Sequence, residues 1–268
     1  MTIVDKGILA RERKLKQAGG FGLTIKDDIT KLSNRLNTVQ RKQIPFAVAL
    51  TLTRTAQGLR RQQQRTMRQV FDKPVRFTVG DADKGGSLAV APANKKDVPI
   101  QSRVFFTEFA GKGTPAYKYL APQIFGGERR QKRHEILLSN KLGTRIYTAP
   151  AADAPLLRNG NISGGQYTRM LSAVSAMAEV GFVGNTTERS RRRNKNVRGY
   201  YIARKGGKPV GLRQRKGGGE SKKILNFVEQ SPKYRKRYPF YRVGRNYVKK
   251  HLAVNFRRSL RHALRTAR

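Results

Sequence analysis

The sequence predicts an α+β fold: a small antiparallel sheet packed by long helices, with basic flexible extensions. Three features predict it. Apolar residues recur at helical spacing through residues 46–71. Residues 75–79 alternate between apolar and polar side chains, as in a strand with one buried face. A second amphipathic helix is expected to close the chain at residues 244–268.

The N-terminal part is expected to begin with a flexible leader, residues 1–24, and to continue into helices. Acids at 27–28 favour the start of a short first helix. Pro45 suits the first turn of a longer helix at 46–71, because its missing N–H needs no partner there. Arg60–Arg65 is polar on all sides and is expected to face solvent or a partner. The predicted core positions of the long helix are Val48, Leu52, Leu59, Met67 and Val70.

The middle of the chain is expected to supply strands and shorter helices. Residues 75–79 and Ser87–Ala91 read as a hairpin around a turn at Gly80–Gly86. Val104–Phe109, which is rich in aromatic residues, predicts a further strand. Shorter helices are expected at 116–120, 130–142 and 164–180.

The C-terminal part is expected to complete the sheet. Strands are predicted at 199–203 and 224–228, joined by a basic, Gly-rich loop at 206–219 that is expected to be mobile and almost free of core residues. The single predicted sheet therefore lies near 75–110 and 200–230. The apolar positions of the closing helix are Val248, Leu252, Phe256, Leu260 and Leu264.

Composition divides the chain into three segments. Residues 1–24 form the leader, and residues 25–187 form the α+β core with an insertion around 111–163. Residues 188–268 supply a basic arm, strands and the amphipathic helix that completes the core. This last segment holds 27 Lys and Arg against three acids.

Charge is the strongest functional signal in the sequence. The chain has 58 Lys and Arg against 16 Asp and Glu, a formal net charge of +42, and a sequence pI near 11.5. A compact body with this excess repels itself, so a polyanionic partner or a large assembly is expected. Nucleic acid is the expected partner, because Lys and Arg displace counterions from phosphates. No recognition helix is evident, which predicts backbone contacts without sequence preference.

Basic runs without nearby acids mark the candidate contacts with nucleic acid, because a merely solvated surface mixes both signs. The last of these runs is residues 233–238, and three tyrosines lie within it or just after it: Tyr234, Tyr238 and Tyr241. They could stack on bases or sugars or anchor the closing helix in the core, and the core role is preferred. The candidate residues are Arg189, Arg191, Arg192, Arg193, Lys195, Arg198, Arg213, Arg215, Lys216, Lys233, Arg235, Lys236 and Arg237.

The motifs that suggest catalysis are incomplete. His134 precedes Glu135 without the spacing of a zinc hydrolase, and His251 and His262 have no carboxylate nearby to orient them. Gly111–Thr114 lacks the Lys-Ser or Lys-Thr pair of a phosphate loop, which favours a turn. The acids that an enzyme would need to draw on are Glu108, Glu128, Glu135 and Asp153.

No catalytic residue, metal, cofactor or small-molecule ligand is predicted. Asp81, Asp83 and Asp97 offer no complete ligand set, and 16 acids leave few for two-metal nuclease chemistry. The chain has no Cys, which excludes disulfides and thiolate zinc sites. No window approaches the roughly 18 apolar residues of a membrane span, and the N-terminal apolar stretch is too short for a secretion signal. We therefore expect no membrane partner and synthesis in the cytoplasm.

The order of segments resembles the minor tail protein Z group of tailed bacteriophages, the tail-completion proteins of lambda-like phages. The resemblance covers about half of the chain and leaves out residues 100–180. Four passages carry it: a small-residue helix at Pro45–Ala56 that leads into a basic helix, an Arg- and Gly-rich middle at Arg191–Gly219, the passage Arg237–Val243 with its Tyr-Pro pair, and the terminal amphipathic helix Tyr247–Arg268.

The resemblance implies a non-enzymatic structural protein of the virion, made in the host bacterial cytoplasm. Such a protein forms a homo-oligomeric ring at the head–tail joint, beside the DNA channel. Its expected partners are further copies of itself, neighbouring neck and tail proteins, and the DNA backbone. The alternative is a ribosomal or other RNA-binding protein with basic extensions. A nuclease or integrase is a third reading, which the shortage of carboxylates disfavours.

Overall fold

The fold is α+β, as the sequence predicts. The chain divides into two compact units: the first comprises Met1–Gly126 with Arg235–Arg268, and the second comprises Gly127–Tyr234. The boundary expected between residues 187 and 188 falls inside the second unit. The computed structural model describes residues 22–26, 38–108, 114–179, 182–183, 185–193, 199–216 and 219–266.

The first unit combines two long helices with a three-stranded antiparallel sheet. Strand β3 is central and pairs with β1 from Gly22↔Phe105 to Lys26↔Gln101, and with β2 from Leu88↔Phe106 to Ala91↔Arg103. The strands are β1 Gly22–Lys26, β2 Leu88–Ala91 and β3 Gln101–Phe106. The helices are α1 Thr38–Val70, α2 Arg76–Val79, α3 Ala116–Phe125 and α7 Phe240–Arg265.

The core of the first unit lies between α1, α7 and the sheet. Alternate residues of β3, Val104 and Phe106, are almost fully buried, which is the period-two pattern of a half-buried strand. The predicted α1 core is confirmed, with Val70 partly buried at its edge and the others buried. In α7 the predicted positions Val248 and Leu252 are buried, but Leu264 is 53% exposed.

The long N-terminal helix starts earlier than the sequence predicts. It begins at Thr38, so Pro45 lies inside it and removes one backbone hydrogen bond there instead of opening the first turn. The polar middle does not face solvent throughout. Gln63 is fully buried, where it donates to the Phe240 carbonyl over 2.8 Å and accepts from the Tyr238 hydroxyl over 2.8 Å.

The strand predicted at 75–79 is wrong. Residues 76–79 form the short helix α2, and Thr78 and Val79 are both buried, which alternation along a strand cannot achieve. The predicted turn does follow and leads into β2, whose partner is β3. Gly86 is required in this turn, because a Cβ at that position would come within 2.1 Å of the Gly80 backbone.

The second unit has its own sheet, so the single predicted sheet is in fact two. Its strand order is β5–β10–β9–β8, and every neighbouring pair is antiparallel. These strands are β5 Tyr147–Pro150, β8 Tyr200–Lys205, β9 Lys208–Arg215 and β10 Ser221–Val228. Two short ribbons pair β4 Gly127–Glu128 with β11 Lys233–Tyr234, and β6 Ala178–Glu179 with β7 Phe182–Val183. The helices are α4 Arg133–Leu142, α5 Gly164–Ala173 and α6 Glu188–Arg193.

The expected mobile loop at 206–219 is wrong over most of its length. Residues 208–215 form β9, an inner strand whose Leu212 is fully buried. The connection to β8 is a two-residue turn, with Gly206 and Gly207 both at positive φ. Such a Gly-Gly pair suits the turn that joins two antiparallel strands.

The helix predicted at 164–180 ends at Ala173. Ser175 adopts a positive φ of 57°. Its N–H donates to the Ser172 carbonyl, and the Ala176 N–H donates to the Leu171 carbonyl. This is the bonding of a Schellman motif, which ends a helix and is usually made with Gly at the left-handed position.

The expected flexible leader and the expected short first helix can be compared with the structure only in part. Residues 22–24, expected to end the leader, belong to β1, and the short helix expected from 27–28 lies largely outside the described residues. Within the ranges given above, no helix has both the length and the apolar character that crossing a bilayer demands.

Candidate nucleic-acid interface

The two long helices of the first unit, α1 and α7, run antiparallel and contact each other along their length. Gln63 on α1 bonds to Phe240 at the start of α7. Earlier on α1, Arg54 donates to the hydroxyl of Ser259, near the end of α7, over 3.2 Å. Between them, the amide of Asn255 donates to the α1 residue Thr55 over 2.9 Å. The chain therefore joins its N-terminal and C-terminal parts through this helix pair.

Gly58 makes room for the side chain of Tyr247 between the two helices. A Cβ at this position would lie 2.1 Å from the hydroxyl oxygen of Tyr247 on α7. The Tyr247 ring also packs against His251, with 4.2 Å between ring centroids. The absence of a side chain at Gly58 thus lets the Tyr247 ring lie directly against α1.

The outer faces of α1 and α7 carry charge of one sign only. Neither the 33 residues of α1 nor the 26 residues of α7 include an Asp or Glu. Arg60 is partly buried and lies 3.2 Å from Asp81 and 3.4 Å from Asp83, which follow α2. We call the exposed cations of the two helices the α1–α7 basic surface: Arg41, Lys42, Arg61, Arg65, Arg68, Arg242, Arg245, Lys249, Lys250, Arg257, Arg258, Arg261 and Arg265.

The length of α7 is close to that of one turn of a DNA duplex. A helix of 26 residues is about 39 Å long, close to the length of one turn of B-DNA, about 34–36 Å. Cations that follow such a helix without intervening carboxylates can neutralise successive phosphates and release their counterions. The sequence candidates did not include these residues. The absence of acids over both helical segments was the signal that could have identified them.

The structure places the first group of sequence candidates on a short helix. Arg189, Arg192 and Arg193 are exposed on α6, and the backbone of Arg191 belongs to the same helix. The remaining two members of this run, Lys195 and Arg198, lie outside the described residues.

The second group lies on or beside strands of the second unit. Arg213 and Arg215 are two residues apart on β9 and share one face of the sheet. Lys216 follows that strand, and its amine is 3.7 Å from Glu220. Lys233 on β11 is 4.0 Å from Glu128. Both of these pairs are solvent-exposed, so they contribute little stability.

The third group, Arg235–Arg237, precedes α7 in the first unit. Arg237 donates to the side-chain carbonyl of Gln123 over 2.8 Å, and its guanidinium lies 5.3 Å from the Phe71 ring centroid. Arg237 therefore helps to hold this segment in place. Arg235 and Lys236 are exposed.

The three tyrosines near this run differ in their surroundings. Tyr238 is fully buried, and burial raises its pKa well above the ordinary value. Tyr241 is partly buried and packs edge-on against Phe240 at 5.3 Å. The preferred core role is confirmed for both. Tyr234 lies on the short strand β11.

Glu135 of the second unit is a buried carboxylate with a full set of hydrogen-bond donors. Arg129 donates to it from two nitrogens, each over 2.6 Å. The backbone N–H groups of Lys132 and Thr148 donate over 2.7 and 2.8 Å, and the Thr148 hydroxyl over 3.1 Å. Burial would raise the pKa of Glu135, but these hydrogen bonds outweigh it and lower the pKa to about 2. A carboxylate held in this way is a poor general base.

His134 belongs to the same cluster. Its Nε2 is 2.8 Å from the Thr148 hydroxyl, and its ring stacks on Tyr167 at 4.0 Å. Burial is the main cause that lowers the pKa of His134 to about 4, despite the opposing effect of Glu135. The Thr148 hydroxyl donates its own hydrogen to Glu135, so it accepts a hydrogen bond from the Nε2–H group of a neutral His134. The arrangement is a closed hydrogen-bonding network.

The other candidate groups do not converge. His251 stacks beside Tyr247, and His262 lies 6.4 Å from the Phe46 ring. Among the residues that the structure describes, no group of three or more His, Asp or Glu side chains could hold a metal ion. A recess of about 580 Å³ in the second unit is lined by charges of both signs, including Glu128, Glu229, Arg145 and Lys233.

Comparisons of this chain with protein-family models, with curated proteins and with solved structures found no match. The resemblance to tail-completion proteins stays a prediction from the sequence. The functional observations that the structure adds are the α1–α7 basic surface and the positions of the candidate cations.

Proposed function

We propose that this chain is a structural protein of a tailed-phage virion, at the head–tail joint, in the neck or in tail completion. It forms a homo-oligomeric ring beside the DNA channel and contacts the DNA backbone without sequence preference. The virion location and the ring follow from the sequence resemblance. The observation that supports contact with DNA is the α1–α7 basic surface. Its two long helices expose cations and contain no Asp or Glu.

The electrostatic repulsion within this surface supports a polyanionic partner. Like charges that line two packed helices repel one another, and nothing within either helix compensates for that repulsion. DNA removes it, because each cation that meets a phosphate also releases counterions from the duplex. Contacts of this kind go to phosphates, so they position the protein without reading bases.

Four of the described carboxylates already have partners, which supports a role without catalysis. Glu135 is committed to five hydrogen bonds, and Asp81 and Asp83 lie beside Arg60. Asp153 accepts from the backbone N–H of Lys223 over 3.0 Å. An acid or base that acts on a substrate needs a free position within hydrogen-bond reach of it.

Salt-dependent binding to a short duplex tests the proposal. The variant R257Q/R258Q/R261Q removes three cations from α7. We expect its log–log salt slope to fall by about 0.9 for each phosphate that these side chains no longer neutralise. The matched control, K84Q/K95Q/K96Q, removes the same charge from exposed positions outside both helices. An equal decrease in both variants would show that net charge alone drives binding and would contradict a defined surface.

The alternative is a ribosomal or other RNA-binding protein, since the same cations would bind RNA phosphates equally well. Sedimentation separates the two roles. A virion protein co-sediments with purified phage particles and forms a homo-oligomer of fixed number. A ribosomal protein follows the ribosome and remains bound to it in moderate salt.

A further inference from the structure

The four-stranded sheet of the second unit has one covered face and one outer face. Tyr200 on β8 and Leu212 on β9 point into a buried apolar cluster with Ile162 and Met170. Side chains alternate along a strand, so Tyr201 and Arg213 lie on the opposite face. Tyr201 is partly exposed there, on β8, the last strand in the sheet order.

The register places an aromatic ring and cations side by side on this outer face. Tyr201 pairs with Arg213 on β9, and Arg213 pairs with Lys223 on β10. Directly opposite residues in antiparallel strands share a face. Arg215, two residues beyond Arg213, places its guanidinium 5.3 Å from the centroid of the Tyr201 ring. Arg213 also reaches the Ser221 hydroxyl at 3.4 Å.

The neighbouring row on the same face carries short side chains. Ala203 pairs with Gly211, Gly211 with Asn226, and Asn226 with Ala149. A row of long side chains thus borders a row of short ones on this face. Gly211 is buried and is needed for the close pairing of β9 with β10, since a Cβ there would meet the Leu225 carbonyl oxygen at 2.4 Å.

The charge on this sheet is also of one sign. None of its four strands contains an Asp or Glu. The acids lie at its border. Asp153 accepts from the backbone N–H of Lys223, Glu220 lies 3.7 Å from Lys216, Glu229 directly follows β10, and Glu135 is bonded to Thr148 of β5. The cations around Tyr201 therefore match a negatively charged ligand that also offers flat rings.

We propose that the outer face of the β5–β10–β9–β8 sheet binds single-stranded nucleic acid, with a base stacked against Tyr201 and Arg215 and the phosphates held by Arg213 and Lys223. Bases stack on aromatic rings and on guanidinium planes when they are free of a duplex. Within a duplex the base faces are already covered by neighbouring pairs, so this surface prefers a single strand. The proposal does not depend on the α1–α7 basic surface, and it stands whether or not the chain belongs to a virion.

Fluorescence at position 201 tests stacking directly. The chain has no Trp, so Y201W introduces a single tryptophan into the full-length protein. We expect short oligothymidylate or oligouridylate to quench it, and a short duplex at equal phosphate concentration to leave it unchanged. Comparing the two single strands shows whether DNA or RNA is preferred. The matched control is Y117W, placed on α3 of the first unit, which neither ligand should quench.

Affinity measurements test whether the aromatic ring at position 201 itself contributes to binding. Y201F keeps the ring and should bind oligothymidylate as the unchanged protein does. Y201L removes the ring and should bind it roughly 5- to 150-fold more weakly, the range expected for the loss of one stacked base. Binding of duplex DNA should be the same in both variants.

Two results would overturn the proposal. The first is quenching of Y201W by duplex to the same extent as by single strands, or no quenching by either. The second is equal affinity of Y201L and Y201F for oligothymidylate. If Y201L fails to fold, as circular dichroism would show, the Y201W titration alone decides. If duplex binding does not depend on the α7 cations but single strands still quench Y201W, the proposed α1–α7 basic surface is wrong and the sheet proposal stands; if R257Q/R258Q/R261Q loses duplex binding but Y201W is not quenched, the reverse holds.

Discussion

The buried carboxylate of Glu135 shows how single residues stabilise a chain with such an excess of positive charge. Its five donors come from Arg129, from Thr148 and from the start of α4. A buried charge is tolerated only when it is paired and fully hydrogen-bonded. The network joins α4 to strand β5, and the neutral ring of His134 closes it through Thr148.

This network makes stability depend on pH in a defined direction. The folded pKa of His134, about 4, is below its ordinary value of 6.5. Between these values the unfolded chain binds a proton that the folded chain does not, so stability falls as pH falls through this window. Glu135, with its pKa lowered to about 2 from 4.5, acts in the same direction at lower pH. We expect the urea unfolding midpoint to decrease from pH 6.5 to pH 4.5.

In the variant H134Q, the urea unfolding midpoint should decrease much less between pH 6.5 and pH 4.5, because the Gln side chain does not titrate. The matched control H262Q changes an exposed histidine on α7 and should retain the full decrease. A pH dependence that is identical in H134Q and in the unchanged protein would contradict the role given to His134.

Residues whose partners are distant in sequence are the ones that sequence reasoning misplaced. Gln63 sits in a polar run, and nothing local shows that Tyr238 and Phe240 will enclose it. Arg237 belongs to a basic run, yet it packs on Phe71 and bonds to Gln123. The end of α5 was missed for a local reason. Ser175 lies at the left-handed position where helices usually have Gly, so the sequence carried no recognisable signal of the helix end.

At the scale of elements, the contact between α1 and α7 depends on a small residue opposite Tyr247. The Tyr247 side chain of α7 occupies the space that a Cβ at Gly58 would need. Glycine costs a helix about 1 kcal/mol relative to alanine. That cost is offset here, because the Tyr247 ring packs against the core of the first unit.

A double-mutant cycle tests this contact. We expect G58A to destabilise the protein by about 1–2 kcal/mol, because overpacking outweighs the gain in helix propensity. In the Y247L background, the same change should be neutral or stabilising. The control G165A lies on α5, where a Cβ meets nothing within 4 Å, and it should stabilise the helix by about 0.5–1 kcal/mol. Equal destabilisation by G58A in both backgrounds, measured by urea unfolding, would contradict the account.

Long periodic elements were predicted most completely, and the errors fell on some of the short ones. The apolar spacing of α1 and α7 identified both helices and most of their core positions. The alternation at 75–79 misled, because five residues are too few to distinguish a strand from a turn of helix by periodicity. The Gly-Gly turn at 206–207 was a readable hairpin signal, but the surrounding basic residues suggested a loop.

At the scale of the whole molecule, the excess of positive charge is distributed over distinct surfaces in the two units. The charged residues of α1 and α7 are all basic, and so are those of the four-stranded sheet in the second unit. The net charge alone predicts a polyanionic partner. It does not indicate the α1–α7 basic surface, because that surface forms only when two segments far apart in the sequence pack together, although the absence of acids is visible in each segment.

Lysine footprinting with DNA tests the central claim most directly. Lys249 and Lys250 lie on α7, and Lys95 and Lys96 are equally exposed outside both helices. In low salt, a short duplex should protect the α7 pair from acetylation and leave the other pair reactive, and high salt should abolish the protection, because it screens charges beyond a few ångströms. Protection of Lys95 and Lys96 to the same extent, or full reactivity of Lys249 and Lys250 in the complex, would contradict a DNA-binding surface on these helices.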